Sequence, residues 1–254
     1  MSPQRYLAVT EVPGTGATSE QLAMLSTRYH FAAEVGKGGE VLEVACGPGM
    51  GLGYLATKAR RVVGGDYDSQ LLEIGRVHYG ARVPLIRLDA HALPFRDRAF
   101  DLVVLFEAIY YLREVERFLR EARRVLRTGG ALLICSANRE RRGFQPSPFS
   151  VSYLSASELC RFLTRQGFAV ELFAAFPVAP SLWRNSRGAA RWLANALRLG
   201  PGGKTFMKRL LFGKPLPFPA EVTEGMADVA PLVPLVEDSS VTEFQVLYAI
   251  GRLR

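Results

Sequence analysis

The stretch from Val41 to Gly49 constrains this chain more than any other part of it. It reads Val-Leu-Glu-Val-Ala-Cys-Gly-Pro-Gly, an apolar, β-branched run that passes directly into a glycine-containing turn. The run predicts a buried strand, and residues 50–59 after the turn predict a helix. Glycine tolerates positive φ and lets the backbone approach a ligand closely. The free N–H groups that begin a helix favour an anion, so Gly47 and Gly49 are candidate ligand contacts.

Two further predicted short strands each lead to an acidic residue. The segment that begins at Arg61 ends at Asp66, where a carboxylate can accept both hydroxyls of a ribose. A third strand, residues 83–88, is followed by Asp89. The alternative is that Asp66 and Asp89 only cap helices or turns.

Strands alternate with helices over most of the chain. The predicted strands cover residues 40–46, 61–66, 83–88, 100–109, 131–135, 168–176 and 241–250. The predicted helices begin at Thr18, Met50, Ser69, Val115 and Ser155, and Gly129-Gly130 is expected to end the fourth of them. Because several strands are apolar on both faces, we expect a parallel sheet covered by helices on both sides.

This ordered set of motifs resembles the class I S-adenosylmethionine-dependent methyltransferases. The run from Asp89-Ala90 through Leu93-Pro94-Phe95 to Phe100-Asp101 is most similar to the branch that includes quinone and many small-metabolite methyltransferases. The resemblance covers roughly residues 38–178, and it departs from the family at Ala45, where glycine is frequent. It implies a Rossmann-like, doubly wound, seven-stranded α/β sheet with an antiparallel last strand and a helical insertion between the last two strands.

The resemblance also implies which residues bind S-adenosylmethionine. The methionine and ribose side would be lined by Glu43, Ala45, Gly47 and Gly49, with Asp66 on the ribose. The adenine would be flanked by Tyr67 and its edge read by Asp89 and the Ala90 N–H, with Phe106 and Glu107 near the sulfonium. Closure over the methionine end would come from Arg28, Tyr29 and Tyr6. The alternative is that Tyr29 packs in the core and Arg28 is solvated.

Methyl transfer from a sulfonium is a direct displacement, so the protein supplies binding, alignment, exclusion of water and in some cases a base. The candidate catalytic residues are Glu107, Tyr110 and His91, with Tyr111 beside them. His91 is alternatively a surface residue, and the two tyrosines alternatively only wall the pocket.

The net charge of +8 is concentrated in one segment. Residues 181–220 contain eight of the 32 basic residues and no acidic one, which leaves 24 basic against 24 acidic residues elsewhere. On a helix, Arg184, Arg187 and Arg191 would share one stripe. The segment is a lid for an anionic small-molecule substrate, an interfacial helix that makes peripheral membrane contact through residues 181–214, or a solvated basic face. A nucleic-acid patch is the weakest of these readings.

These observations divide the chain into an arm with its leading helix (1–37), a cofactor-binding domain (38–178 with 241–254) and a basic, aromatic inserted subdomain (179–240). No apolar run is long enough for a membrane span and no secretory signal is recognisable, so we expect a cytoplasmic protein. The three cysteines have neither disulfide nor metal-ligand spacing.

The predicted function is methyl transfer to an oxygen or nitrogen of a small metabolite. The alternatives are C-methylation of a quinone-like or lipid acceptor at a membrane surface, and a cofactor-binding scaffold without turnover. The acceptor and the oligomeric state stay open.

Overall fold

A computed structural model describes Tyr6 and residues 8–178, 216–235 and 241–253. The strands are β1 (Gly16–Ala17), β2 (Glu40–Val44), β3 (Arg61–Asp66), β4 (Leu85–Arg87), β5 (Phe100–Phe106), β6 (Leu126–Ala137), β7 (Phe168–Pro177), β8 (Leu216–Pro217), β9 (Val233–Leu235) and β10 (Phe244–Leu253). The helices are α1 (Ser19–Val35), α2 (Leu52–Ala56), α3 (Ser69–Tyr79), α4 (Val115–Val125) and α5 (Ala156–Arg165), with a 3₁₀ turn at Ile109–Tyr111.

The main sheet has the strand order β4-β3-β2-β5-β6-β10-β7-β9. The strands from β4 to β6 are parallel, whereas β10 lies antiparallel between β6 and β7. The predicted Rossmann-like sheet with an antiparallel last strand is therefore confirmed. Its eighth strand is β9, three residues that pair with the outer side of β7. The order reverses between β2 and β5, and open α/β sheets bind ligands at the carboxyl ends of the strands beside such a reversal.

Helices cover both faces of the sheet, as the apolar strands predict. One core cluster joins α4 and α5 to the sheet residues Leu42 and Leu132, and the other joins α1, α2 and α3 to Val41 and Leu133. Successive residues of a strand thus point into opposite cores, which requires apolar residues at every position.

Three helix starts are set by specific side-chain hydrogen bonds. The predicted capping boxes at Thr18 and Ser155 are both present. In each, the cap side chain accepts from the backbone N–H three residues on, and the side chain of that residue accepts from the cap's own backbone N–H. The helix expected to open at Ser69 is capped one residue earlier, by the side chain of Asp68.

Several element boundaries differ from those expected from the sequence, and three of the differences have a local cause. The helix predicted over 50–59 is only Leu52–Ala56, because residues 46–51 form consecutive turns around the glycines. The fourth strand ends at Phe106 instead of Ile109, where the 3₁₀ turn begins. The prediction that Gly129-Gly130 ends α4 was wrong: Leu126 adopts an extended conformation and pairs with Phe100, so the chain leaves the helix before it reaches the glycines.

Residues 216–235, which we call the strap, pack onto the domain beside the arm, by which we mean Tyr6 and residues 8–17. β1 of the arm pairs antiparallel with β8 of the strap. Phe218 and Val222 are buried in the α1–α3 core, and the Val222 N–H donates to the Met50 carbonyl (2.7 Å). The rest of the predicted insertion, including Arg184, Arg187 and Arg191, lies outside the described residues.

Within the part of the chain that the structure describes, no helix combines the length and apolar character needed to cross a membrane. The same residues contain no group of His, Cys, Asp and Glu side chains that could hold a metal ion.

Candidate cofactor and acceptor site

The glycine turn after β2 is built from residues in the left-handed region of backbone space. Ala45, Gly47 and Gly49 have φ values of 57°, 58° and 80°. Positive φ costs an L-residue such as alanine roughly 1 kcal/mol. Ala45 therefore adopts, at a small cost, the backbone shape that favours glycine, the residue frequent at this position in the family that the sequence resembles. The turn follows the carboxyl end of β2, as the sequence predicts, and its residues 46–49 are buried.

Asp66 links the glycine turn to the start of α3. One carboxylate oxygen accepts from the Gly47 N–H and the other from the Asp68 N–H, each at 2.8 Å. Burial raises the pKa of Asp66, and these two N–H groups oppose that rise. The carboxylate is thus fixed at the end of β3, with lone pairs still able to accept ribose hydroxyls.

Glu43 and Tyr29 form a buried pair behind the turn. The Tyr29 hydroxyl donates to one carboxylate oxygen of Glu43 (2.7 Å), and the Tyr29 ring packs edge-on against Phe106. The other oxygen of Glu43 is buried without a hydrogen-bond partner among the described residues. Burial raises the pKa of Glu43 to about 7. An unmatched buried acceptor of this kind has room for one more hydrogen-bond donor, from a ligand or from water.

Arg28 is buried too, so the alternative that it is solvated is wrong. Its guanidinium forms an ion pair with Glu11 of the arm, a contact that sequence reasoning missed. Its Nε is a second buried atom without a partner in the described chain. Tyr29 fits both of the roles considered for it from the sequence. It packs in the core, and its hydroxyl also contacts Glu43 at the candidate site.

The residues predicted on the adenine side lie nearer the surface. Tyr67 is 56% exposed, and the Arg87 guanidinium lies 5.8 Å from its ring centroid. Ala90 is buried, whereas Asp89 is exposed and accepts from the His91 backbone N–H (2.8 Å). Their roles toward the adenine stay predictions.

His91 is engaged through both of its ring nitrogens. Nδ1 lies 2.7 Å from an Asp89 oxygen, and Nε2 accepts from the Glu114 N–H at 3.4 Å. These bonds tie the loop after β4 to the start of α4. His91 therefore organises the loop, and both of its ring nitrogens are engaged by protein groups. Its role as a base stays a prediction.

Glu107 follows β5 directly and has a φ of 48°. Its carboxylate accepts from the Tyr110 hydroxyl (3.0 Å) and the Ala137 N–H (3.2 Å), with the Cys135 sulfur 3.5 Å away. Burial raises the pKa of Glu107, and the charge of Arg28 opposes that rise. Backbone strain and a displaced pKa together are frequent at functional sites.

A continuous row of aromatic rings runs beside Glu107. Tyr110 stacks on Tyr153 with ring centroids 4.2 Å apart, Phe144 continues the row, and Tyr111 links it to Tyr6 of the arm. The sequence analysis named Tyr110 as a candidate catalytic residue with Tyr111 beside it, and gave a pocket wall as the alternative for both. It missed Phe144 and Tyr153. Their position just after the carboxyl end of β6 was the available indication, because loops at that edge line the site.

A protein-family model described as a methyltransferase domain matches residues 42–134. A probable S-adenosylmethionine-dependent methyltransferase of Mycolicibacterium smegmatis is 35% identical over 164 residues, which are 63% of this chain and 63% of that protein. Residues 42–134 thus match the methyltransferase-domain family, and over the matched region the chain is similar to class I S-adenosylmethionine-dependent methyltransferases.

Two other comparisons cover more of the chain. A ubiquinone/menaquinone biosynthesis C-methyltransferase of Hahella chejuensis is 28% identical over 180 residues, covering 66% of this chain and 63% of that protein. A Thermotoga maritima crystal structure, titled as an S-adenosylmethionine-dependent methyltransferase and possible histamine N-methyltransferase, superposes with a TM-score of 0.61 at 18% identity, covering 93% and 92% of the two chains. The match to both curated relatives spans less than two thirds of their length.

The similarity to S-adenosylmethionine-dependent methyltransferases implies S-adenosylmethionine as the cofactor, and the residues at this site fit it. The molecule combines a ribose, an amino acid end with both charges, and a sulfonium. Asp66 offers a fixed carboxylate for the ribose hydroxyls. The unmatched Glu43 oxygen and Arg28 Nε offer an acceptor for an ammonium and a donor for a carboxylate. The backbone of the glycine turn allows close approach.

Proposed function

We propose that this chain catalyses methyl transfer from S-adenosylmethionine to an oxygen or nitrogen of a small metabolite. The observation that carries the proposal is that the glycine turn, Asp66 and Glu107 lie at the carboxyl ends of β2, β3 and β5, three neighbouring strands. Those three elements combine a nucleoside-binding turn, a ribose acceptor and a carboxylate with a raised pKa in one place.

In this proposal the chain's own residues bind, align and accept a proton. S-adenosylmethionine supplies a methyl group that its sulfonium charge already activates for displacement. Asp66 holds the ribose, Arg28 and Glu43 hold the amino acid end, and Phe106 with Tyr29 excludes water from one side. Glu107 takes the proton that the acceptor hydroxyl or amine loses, because its raised pKa brings it closer to the working pH.

A second candidate is C-methylation of a quinone-like or lipid acceptor. The row of rings from Tyr6 to Phe144 favours it, because flat acceptors stack on aromatic side chains. The name of the Hahella chejuensis relative points to the same chemistry. In this case we propose that residues 181–214, with their eight basic residues, contact an anionic membrane surface that holds the acceptor.

The test is release of S-adenosylhomocysteine from purified protein incubated with S-adenosylmethionine and pooled acceptors: phenols, amines, carboxylic acids and quinols, with and without anionic vesicles. We expect turnover with one pool, and we expect Glu107→Gln to lower kcat by about 10²–10⁴-fold with unchanged binding of S-adenosylhomocysteine. Turnover limited to quinols would select the second candidate. Binding without turnover in any pool would favour the scaffold, in which the basic segment recruits an acidic partner.

A further inference from the structure

The ion pair between Arg28 and Glu11 joins two parts of the chain with different degrees of exposure. The Arg28 side chain is 8% exposed and comes from the middle of α1, whereas the Glu11 side chain is 31% exposed and comes from the arm. Glu11 can therefore leave the pair and become solvated, but Arg28 stays where it is. Once Glu11 leaves, the buried guanidinium needs another anion, because an unpaired buried charge is costly.

The arm lies directly over the glycine turn. The methyl group of Thr10 lies 3.2 Å from the position that a Cβ on Gly47 would take. Tyr6, four residues before Thr10, packs edge-on against Tyr111 on the acceptor side. The arm thus covers the space in which the cofactor's amino acid end and the acceptor would meet. A cavity of about 170 Å³ lies elsewhere, at the opposite edge of the sheet, lined among others by Glu40, Arg61 and Phe100.

The arm is hydrogen-bonded to the strap at its C-terminal end, in addition to the Glu11 and Tyr6 contacts described above. The Gly14 N–H donates to the Phe218 carbonyl (2.9 Å), and β1 pairs with β8. Gly14 has a φ of 82° and no atom within 4 Å of the position that a Cβ would take, so its dihedral angles can change without a steric clash there. Glu11 lies on the N-terminal side of Gly14, and the β1–β8 pair lies on the other side.

We propose that Glu11 is an internal substitute for the cofactor's carboxylate, which displaces it from Arg28 when the cofactor binds. One edge of a guanidinium donates two parallel hydrogen bonds to one carboxylate. The carboxylate of Glu11 and that of the cofactor therefore compete for Arg28. The unmatched oxygen of Glu43 is available for the ammonium of the same amino acid end, which Glu11 cannot satisfy. The cofactor therefore binds both Arg28 and Glu43, whereas Glu11 of the arm binds Arg28 alone. This inference rests on the proposed function, because it assumes that the site binds S-adenosylmethionine.

The experiment compares two nucleosides by titration calorimetry on the full chain. S-adenosylhomocysteine carries the amino acid end, and 5′-methylthioadenosine lacks it. We expect Glu11→Gln to tighten S-adenosylhomocysteine by about threefold or more, because the fraction of protein with Arg28 available rises. Methylthioadenosine does not need Arg28, so its affinity should stay unchanged. Arg28→Gln should weaken S-adenosylhomocysteine and leave methylthioadenosine unaffected.

The matched control is Glu73→Gln, which removes one negative charge from an exposed position on α3. Glu11→Asp serves as a second variant if Glu11→Gln fails to fold, with a smaller gain expected because the shorter side chain holds Arg28 less well. Equal affinities in Glu11→Gln, Glu73→Gln and the wild type would overturn the inference, and an equal gain for both nucleosides would do the same. If neither nucleoside bound the folded wild type, the proposed function itself would be wrong.

Discussion

At the residue scale, the site depends on two buried carboxylates that receive different numbers of hydrogen bonds. Asp66 is buried but accepts two backbone N–H groups, whereas Glu43 has a single hydroxyl donor and one unmatched oxygen. Hydrogen bonds to the charged form favour it, and uncompensated burial disfavours it. Asp66 is therefore a rigid acceptor, while Glu43 is a group whose charge depends on what binds beside it.

The first prediction concerns Asp66→Ala. We expect it to weaken S-adenosylhomocysteine by about 10–100-fold, because hydrogen bonds to a charged group contribute about 1.5–3 kcal/mol. Calorimetry measures the loss. Asp89→Ala, at an exposed position, should lose less. Unchanged affinity in Asp66→Ala would show that this carboxylate serves only the turn.

The second prediction concerns pH and Glu43. Its pKa is about 7 in the folded protein against about 4.5 in the unfolded chain, so the folded state binds the proton more tightly. The resulting stability is fully present below about pH 4.5 and is lost as the pH rises through 7, by at most roughly 3 kcal/mol. Glu43→Gln should remove this loss, since Gln stays neutral and still accepts from Tyr29.

Urea unfolding at pH 5 and pH 8 measures the effect on the free energy of unfolding. The wild type should lose more stability between the two values than Glu43→Gln does. Glu73→Gln is the control and should behave like the wild type. Equal losses in wild type and Glu43→Gln would mean that Glu43 is charged in the folded protein at both pH values.

At the element scale, α2 is the piece that connects the cofactor turn to the rest of the fold. It is only five residues long, and its N-cap residue, Gly51, has no side chain that could cap it. Its position depends on close packing, because Tyr29 of α1 lies over Gly51 and Glu221 of the strap lies over Gly53. The two glycines therefore face neighbours of very different stiffness.

The third prediction uses that difference. A Cβ on Gly51 would lie 2.0 Å from the buried Tyr29 ring, whereas a Cβ on Gly53 would meet the end of the flexible Glu221 side chain at 1.8 Å. We expect Gly51→Ala to destabilise the protein by about 1–3 kcal/mol. Gly53→Ala should cost less than about 1 kcal/mol, because the exposed pairs of Glu221 with His78 and Arg82 are weak. Urea unfolding distinguishes the two, and equal costs would contradict this packing.

At the scale of the whole molecule, the strap makes distant parts of the chain into one cooperative unit. It pairs with the arm through β8, supplies Phe218 and Val222 to the core, and adds β9 to the edge of the sheet. The Ala230 N–H also donates to the Thr27 hydroxyl on α1 (2.9 Å). A segment with buried apolar side chains at one end and a sheet pairing at the other unfolds together with the domain.

The fourth prediction tests that unity. Phe218 is 5% exposed, so Phe218→Ala should lower the free energy of unfolding by about 3–5 kcal/mol. Unfolding should remain a single transition by fluorescence and by circular dichroism. The comparison variant is Glu221→Gln, whose loss should stay below about 1 kcal/mol. A stability of Phe218→Ala equal to that of the wild type would show that the strap is not part of the core.

The sequence by itself determined the alternation of strands and helices, the glycine turn and the acids that end β3 and follow β5. Those features depend on the spacing of apolar residues along the chain and on the backbone freedom of glycine, and both are properties of neighbouring residues. Only the tertiary structure decided that α4 ends at Val125, that Glu11 pairs with Arg28, that Tyr153 stacks on Tyr110 and that Phe218 enters the core. Each of these depends on which distant residues meet across the fold, and the free energy of such contacts is not encoded in any local pattern.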